Sequence, residues 1–336
     1  MSVDVLRVGM IGAGGIARTH AANLRQIDGV EIAAVMDPLQ ERAEMLAAEY
    51  GARAFADLEP LLDDVDAVFV CSPPTFHRAQ VEAAAAVGKH VYLEKPIATT
   101  LADGRAIGAA LASSHARSMV GFNNRFRPAF RRWRDLAAEL GPPRSAWILR
   151  MAPSTPAPNA NWRTTPGLLC GITIESASHD IDLVRWALGE VTTVVGITSS
   201  SLPELEGFDD TLNAVLRLGD GSAVTLSISW SSAVSLSSRG FVSAGGAACL
   251  VGPDMWTVTE LRWAGSGELE TVEPIDAAEG ADLGYRAASE HFIACLREER
   301  DPEATVHDGL AALEVSLALR KASMSGRTVR LGPGVT

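Results

Sequence analysis

No apolar run in this chain reaches the ~18 residues that a membrane-spanning helix needs, so a bilayer-spanning role is not expected. The opening MSVDVLRVGMIGAGGIA sets an Arg ahead of an apolar stretch, but Asp4 and the lone Arg7 make a poor positive region. No export signal is read there, and a cytoplasmic location is expected. Cysteine is scarce: Cys71, Cys170, Cys249 and Cys295 are far apart, with no C-x-x-C pair and no metal-type spacing. That excludes a disulfide framework and gives no metal site, leaving reduced thiols. Basic residues are also short, 29 Lys plus Arg against 41 Asp plus Glu, for a net charge of -12. A nucleic-acid partner, which requires a basic footprint, is therefore not expected. Internal repeats and low-complexity tracts are absent.

What is present fits a soluble enzyme of two domains. The 336 residues are 47% hydrophobic and 21% charged, too long for one typical core. VLRVGMI (5–11), VEIAAVM (30–36), DAVFVC (66–71), HVYL (90–93) and SMVGF (118–122) read as strands separated by helical patterns. Near-continuous apolar strands alternating with helices imply a parallel sheet covered on both faces. Beyond a Pro-rich loop at 151–167 and one helical stretch, strand-like runs follow in series: VTTVVGITSS, TLNAVLRLG, SAVTLSISW, AACLV and MWTVTELRW. With turn signals such as Gly219-Asp220-Gly221 between them, they suggest a mainly antiparallel open sheet. Two helical patterns close the chain, at about 281–299 and 307–324. The fold class is α/β plus α+β, with a dinucleotide-binding domain over 1–124 and a substrate-binding and oligomerisation domain over 125–336, whose last helices are free to pack back on the first.

The motif that points to a dinucleotide is GAGGIA, Gly12 to Ala17, directly after the first strand. In this G-x-G-x-x-A pattern Gly12 permits the tight turn, Gly14 lets the backbone approach a pyrophosphate and Ala17 allows close helix packing. The N–H groups of the following helix then face the phosphates. Asp37 ends the second strand, where a carboxylate can accept both ribose hydroxyls of NAD and repel the extra phosphate of NADP. Its alternative role is a helix cap ahead of Pro38.

Five segments in order from residue 12 to 186 resemble the Gfo/Idh/MocA oxidoreductases. They are Gly12-Ala13-Gly14-Gly15-Ile16-Ala17; Pro73-Pro74-Thr75-Phe76-His77; Gly88-Lys89-His90-Val91 leading into Glu94-Lys95-Pro96; Gly121-Phe122-Asn123-Asn124-Arg125-Phe126; and Glu175 to Trp186 with His179 and Asp182 inside it. The resemblance implies an N-terminal Rossmann domain that binds NAD and a C-terminal sheet domain typically used for homodimers or homotetramers. It implies cofactor contacts from Gly12, Gly14, Gly15, Ile16, Asp37, Ser72, Pro73, His77, Glu94 and Lys95. It makes Lys95 the donor to the substrate hydroxyl and His179 the proton relay. Ligands of open α/β sheets bind outside the carboxyl ends of the strands, which is where Lys95 falls. Pro96 stiffens the backbone there and admits a cis bond.

At about 100 degrees per residue, Glu175, His179 and Asp182 share one helix face, while Ala177, Ile181, Val184 and Leu188 share the opposite one. An imidazole can take a hydroxyl proton as hydride leaves the same carbon, and a neighbouring carboxylate can orient its ring. A solvated polar face would show the same pattern. Two departures from the family pattern bear on the site: Glu175 stands where many members have Asp, and the glycine run before this helix is reduced to Leu168-Leu169-Cys170-Gly171. In the preceding loop Trp162 and Arg163 offer an aromatic face and a fork of donors suited to a polyhydroxylated ring, and Arg125 and Asp182 complete the expected substrate set. The remaining histidines carry no signal. The expected activity is NAD-dependent hydride transfer at a secondary alcohol or ketone of a sugar, inositol or related polyol. The alternatives are an NAD-retaining glycosidase of the same family and a non-catalytic NAD-binding regulator.

Overall fold

Apolar segments that no water reaches on either side form the first sheet. The computed structural model describes residues 5–268, 271–275 and 282–332; Asp4 of the opening segment and residue 281 of the first closing helix pattern lie outside them. The chain divides into two units, one comprising residues up to Asn123 with Tyr285–Leu310, the other Asn124–Gly284 with the residues from Ala311.

In the first unit β1 (Leu6–Ile11) leads through α1 (Gly15–Leu24) to β2 (Val30–Met36), and α2 (Gln40–Tyr50) to β3 (Arg53–Phe55). Then come α3 (Leu58–Asp63), β4 (Ala67–Val70), α4 (His77–Ala86), β5 (His90–Leu93), α5 (Leu101–Ala112) and β6 (Ser118–Val120). The strands pair in parallel in the order β3-β2-β1-β4-β5-β6. All four residues of β4 are buried, as expected of a strand covered on both faces. Helix α1 buries Ala17, His20, Ala21 and Leu24, the i, i+3, i+4, i+7 stripe of a helix lying on a sheet. Gly51, at φ +68, ends α2 in the left-handed conformation that glycine adopts without steric cost. Strand β3 escaped the sequence reading because three residues at a sheet edge carry no period.

The second unit begins with α6 (Pro128–Leu140) and the long β7 (Pro143–Pro153). The expected single helix is two pieces, α7 (Ile172–Glu175) and α8 (Ala177–Ala187), joined at Ser176. Strands β8 (Val191–Ser199), β9 (Thr211–Leu218), β10 (Ala223–Ser229), β11 (Ser231–Ser243), β12 (Ala247–Gly252), β13 (Glu260–Ala264) and β14 (Thr271–Pro274) follow. Helices α9 (Tyr285–Arg297) and α10 (Val306–Ser325) and the short β15 (Val329–Arg330) close the chain. The nine strands run β14-β13-β12-β11-β7-β10-β9-β8-β15, antiparallel throughout except that β10 lies parallel to β7. Burial alternates along β9, so one face is covered and the other is open. The open face carries Val195, Val215 and Ile197, the last 72% exposed. Helix α9 belongs to the first unit, where it packs on α1. Among the described residues no helix is long and apolar enough to cross a membrane.

Candidate functional site

Parallel strands bring their carboxyl ends to one edge, so the segments after β1, β2, β4 and β5 meet there: GAGGIA, Asp37, Ser72-Pro73 and Glu94-Lys95. In the order 3-2-1-4-5-6 the chain reverses direction of winding between β1 and β4, the switch point at which dinucleotides bind such sheets.

The glycines of the first turn do different work. Gly12 has φ +91, and a Cβ there would lie 3.0 Å from the Ser72 backbone nitrogen, so the turn itself requires glycine. Gly14, the residue before α1, has extended backbone (φ -77, ψ -172), and a Cβ on it would meet nothing within 4 Å. Gly14 and Gly15 are exposed and Ile16 is half-buried, so the first N–H groups of α1 open onto free space. A pyrophosphate fits there, because the backbone is approachable and the helix dipole favours negative charge. Gly14→Val is accordingly expected to cost less than about 1 kcal/mol of stability, the scale of a helix-cap exchange, while abolishing NAD binding. Thermal melts and fluorescence titration of the same variant check both halves.

Asp37 serves the fold and the cofactor edge at once. Its Oδ1 accepts the Leu39 N–H at 2.9 Å, a local turn bond rather than a helix cap, since Leu39 is the N-cap of α2 and has no side-chain cap, and its Oδ2 accepts the Ala13 N–H at 2.9 Å, tying the end of β2 to the glycine turn. Each oxygen has a further lone pair for a ribose hydroxyl. Ser72 and Pro73 are half-buried at the same edge, with Ser72 Oγ donating to Gln80 Oε1 at 2.6 Å.

Two residues expected among the cofactor contacts turn inward instead. His77 is 1% exposed, with Nε2 2.9 Å from the Ser72 carbonyl and Nδ1 3.2 Å from the Ile97 carbonyl, so it clasps the loop after β4 to the loop after β5. Burial lowers its pKa below the ordinary histidine value despite those carbonyls. The Glu94 carboxylate also points inward: Oε1 meets His20 Nε2 at 2.8 Å and Oε2 accepts the Lys95 N–H at 3.1 Å. Lys95 is half-buried, and the Lys95–Pro96 bond is cis. His20, which carried no signal in the sequence, is the residue this edge adds.

The second unit holds the other expected residues, all on or near α7 and α8. Glu175, His179 and Asp182 are buried. Arg163, in the single turn of 3-10 helix Trp162–Thr164, donates from Nη2 to Glu175 Oε1 at 2.8 Å, and its guanidinium lies 4.6 Å from the centre of the Trp162 ring. The extra methylene of Glu175 relative to Asp lets it reach this loop. Arg125 and Asp182, both expected to touch substrate, form a buried fork with each other, Nε to Oδ2 at 2.9 Å and Nη2 to Oδ1 at 2.5 Å. Arg163 and Glu175 are thus one pair, and Arg125 with Asp182 is a second.

Asp180, next to His179, was missed. It is wholly buried and takes Arg150 Nη1 on Oδ2 and Arg239 Nε on Oδ1. Both guanidinium groups also donate to the Met255 carbonyl, at 3.0 and 3.3 Å. These contacts pin the flank of α8 about a quarter-turn from His179 to the sheet. Among the described residues no group of three or more His, Cys, Asp or Glu side chains could hold a metal ion.

A family profile described as an oxidoreductase family with an NAD-binding Rossmann fold matches residues 6–122, and a GFO/IDH/MocA C-terminal domain profile matches 130–243. The chain belongs to the Gfo/Idh/MocA oxidoreductase family. A 1,5-anhydro-D-fructose reductase of Ensifer adhaerens is 30% identical, over 98% of this chain and 99% of its own length. A scyllo-inositol 2-dehydrogenase (NAD(+)) of Bacillus subtilis is 27% identical, covering 97% and 96%. The crystal structure of a myo-inositol dehydrogenase from Corynebacterium glutamicum superposes with a TM-score of 0.81 at 26% identity, covering 98% of this chain and 99% of that one. Gfo/Idh/MocA membership accounts for both sheets: a Rossmann unit for the nucleotide and a mixed sheet fronted by α7 and α8.

Proposed function

We propose that this Gfo/Idh/MocA protein is an NAD-dependent oxidoreductase acting on a secondary alcohol or ketone of a sugar, inositol or related polyol. The observation that carries the proposal is the carboxyl edge of the first sheet, where an open helix N-terminus, the Asp37 carboxylate and Lys95 come together. The substrate class follows that of the relatives, a reductase of an anhydro sugar and an inositol dehydrogenase. When bound, NAD supplies the acceptor or donor of hydride. The residues of the chain manage the rest: Lys95 donates to the substrate oxygen and His179 relays its proton, while Glu175, held by Arg163, orients the ring. Trp162 and Arg163 contact the polyol. Residues 1–124, joined by the returning Tyr285–Leu310, act as the cofactor domain, and the rest of 125–336 as the substrate and assembly domain.

An NADH-fluorescence screen against sugars, inositols and sugar acids tests the activity; NAD is expected to bind more tightly than NADP. Next to Asp37, Pro38, Leu39 and Gln40 offer no cation to a 2'-phosphate, with Arg42 the nearest in sequence. Tighter NADP binding would overturn the assignment of Asp37, and cleavage of a glycoside with no net NADH would move the protein to the glycosidase reading.

The open face of the second sheet supports a homodimer or homotetramer. Val195 and Val215 lie directly opposite each other on β8 and β9 with Ile197 beside them, a cluster of exposed β-branched residues. Light scattering is expected to give a multiple of the 35.5 kDa chain mass, and Ile197→Asp to lower it; a 35.5 kDa species at micromolar concentration would refute the assembly. A cytoplasmic location suits the four cysteines, all free and buried.

A further inference from the structure

Glu94 is a buried carboxylate with three separate elements arranged around it. From α1, His20 presents Nε2 to Oε1 at 2.8 Å. Just after β6, Gly121 leaves the space the carboxylate fills, since a Cβ there would lie 2.8 Å from Oε1. From its own chain neighbour Glu94 accepts the Lys95 backbone N–H on Oε2, at 3.1 Å. That N–H lies beyond the last residue of β5, so the carboxylate replaces the ladder that the strand no longer supplies.

His20 is itself held in place. It is 0% exposed, its Nδ1 is 3.4 Å from Ser289 Oγ, and its ring packs against Phe69, Tyr92 and Tyr285 at 5.3, 4.9 and 5.6 Å between centroids. A neutral imidazole satisfies both polar contacts, donating through Nε2 to the carboxylate and accepting at Nδ1 from the serine hydroxyl. The helix that carries His20 is the one whose N-terminus opens at Gly14 and Gly15. A chain of contacts therefore runs from the phosphate-binding turn, along α1, through His20 and Glu94, to the peptide that carries Lys95.

We propose that His20 and Glu94 form a positioning pair that holds the backbone of Lys95, and so aims its amine at the substrate oxygen. The inference rests on the assignment of Lys95 to the substrate hydroxyl. Without His20 the carboxylate is left buried with one oxygen unanswered, a costly state that it escapes by turning away or protonating, and either response releases the Lys95 N–H. A misplacement of about 1 Å at a reacting group costs on the order of 10² in rate. The nucleotide contacts at Gly14 and Asp37 involve neither side chain.

The test compares His20→Ala, Glu94→Ala, Glu94→Gln and Lys95→Met for kcat, NAD affinity and the primary deuterium isotope effect with a substrate labelled at the oxidised carbon. Gln keeps the shape, its amide oxygen can take the Lys95 N–H, and its NH2 can face an imidazole in the other tautomer. The expected result is a kcat roughly 10- to 100-fold lower for both Ala variants, with NAD affinity within about threefold of wild type and a larger isotope effect as hydride transfer becomes limiting. Glu94→Gln is expected to stay within about threefold of the wild-type kcat. The pair is overturned if His20→Ala and Glu94→Ala turn over at the wild-type rate while Lys95→Met does not. It is equally overturned if the Ala variants lose rate with an unchanged isotope effect, or if Glu94→Gln is as impaired as Glu94→Ala. Should Lys95→Met itself keep the wild-type rate, the assignment of Lys95 falls, and that outcome is separate from the other three.

Discussion

Replacing Lys95 by Met is expected to lower turnover by roughly 10² or more while NAD still binds, the scale set by general acid-base groups. Met keeps most of the length and apolar bulk of the side chain and removes the donor, so what is lost is the hydrogen bond to the substrate oxygen. On the proposed reading the nucleotide is held elsewhere, by the open N-terminus of α1 and by Asp37. His179→Ala is expected to behave similarly, with a rate defect and intact NAD affinity. Stopped-flow turnover with the substrate found in the screen, set beside fluorescence titration of NAD, separates the two quantities. A Lys95→Met enzyme that works at the wild-type rate would remove the proposed chemistry even though the chain's family would stand.

The second large effect concerns stability and comes from the residue beside His179. Asp180→Ala is expected to destabilise the protein by about 3–5 kcal/mol, the loss typical when one member of a buried ion pair is deleted. The reason is the arithmetic of charge around it: Arg150 and Arg239 both point at this carboxylate, and all three are buried. Removing Asp180 would leave two guanidinium groups facing each other out of water. Arg239 is already under strain of this kind, its pKa pushed down to about 9 by burial first and by the nearby Arg150 charge second. Between pH 9 and its ordinary value the unfolded chain holds the proton that the folded chain has lost. Arg239 therefore weakens the fold at neutral pH, and that penalty begins to fade only as pH rises above about 9 toward the ordinary arginine value. It follows that Arg239→Met should be neutral or stabilising at pH 7, the opposite of Asp180→Ala. Urea midpoints of the two variants at pH 7 decide the matter; equal losses would show that the arginine contributes as much as the aspartate.

The difference between those two residues and Lys95 is also a difference in what can be read from sequence. Five of the six strands of the Rossmann sheet were legible because burial on both faces forces continuous apolar runs, and the turn that follows β1 was legible because only glycine fits it. Strand β11 was not: SSAVSLSSRGFVS is absent from the strand-like runs of the sequence, and becomes a strand because β7 and β12 supply partners on both sides. The run MWTVTELRW showed the converse, with regular strand only from Glu260 onward. Local period likewise gave no sign of Asp180, because its partners lie 30 and 59 positions along the chain. His20 finds Glu94 only 74 positions away. Spacing within a segment records which face is apolar. It holds no information on which distant charge will meet a buried polar group.

The return of α9 to the first unit has a consequence for how the chain is made. When residue 123 leaves the ribosome every strand of the parallel sheet exists, but the helix that packs on α1 has not been synthesised, and residues 124–284 must come first. At ~5–20 residues per second the delay is on the order of ten to thirty seconds. Through that interval α1 lacks its cover and His20 lacks both Ser289 and Tyr285. The edge strand β6 also waits, since the Val120 N–H donates to the Ala304 carbonyl at 2.8 Å in the finished protein. An uncovered apolar helix beside an open sheet edge is an invitation to aggregate, so the nascent chain at this stage is a natural client for a holding chaperone, and a product truncated before Tyr285 should accumulate as insoluble material.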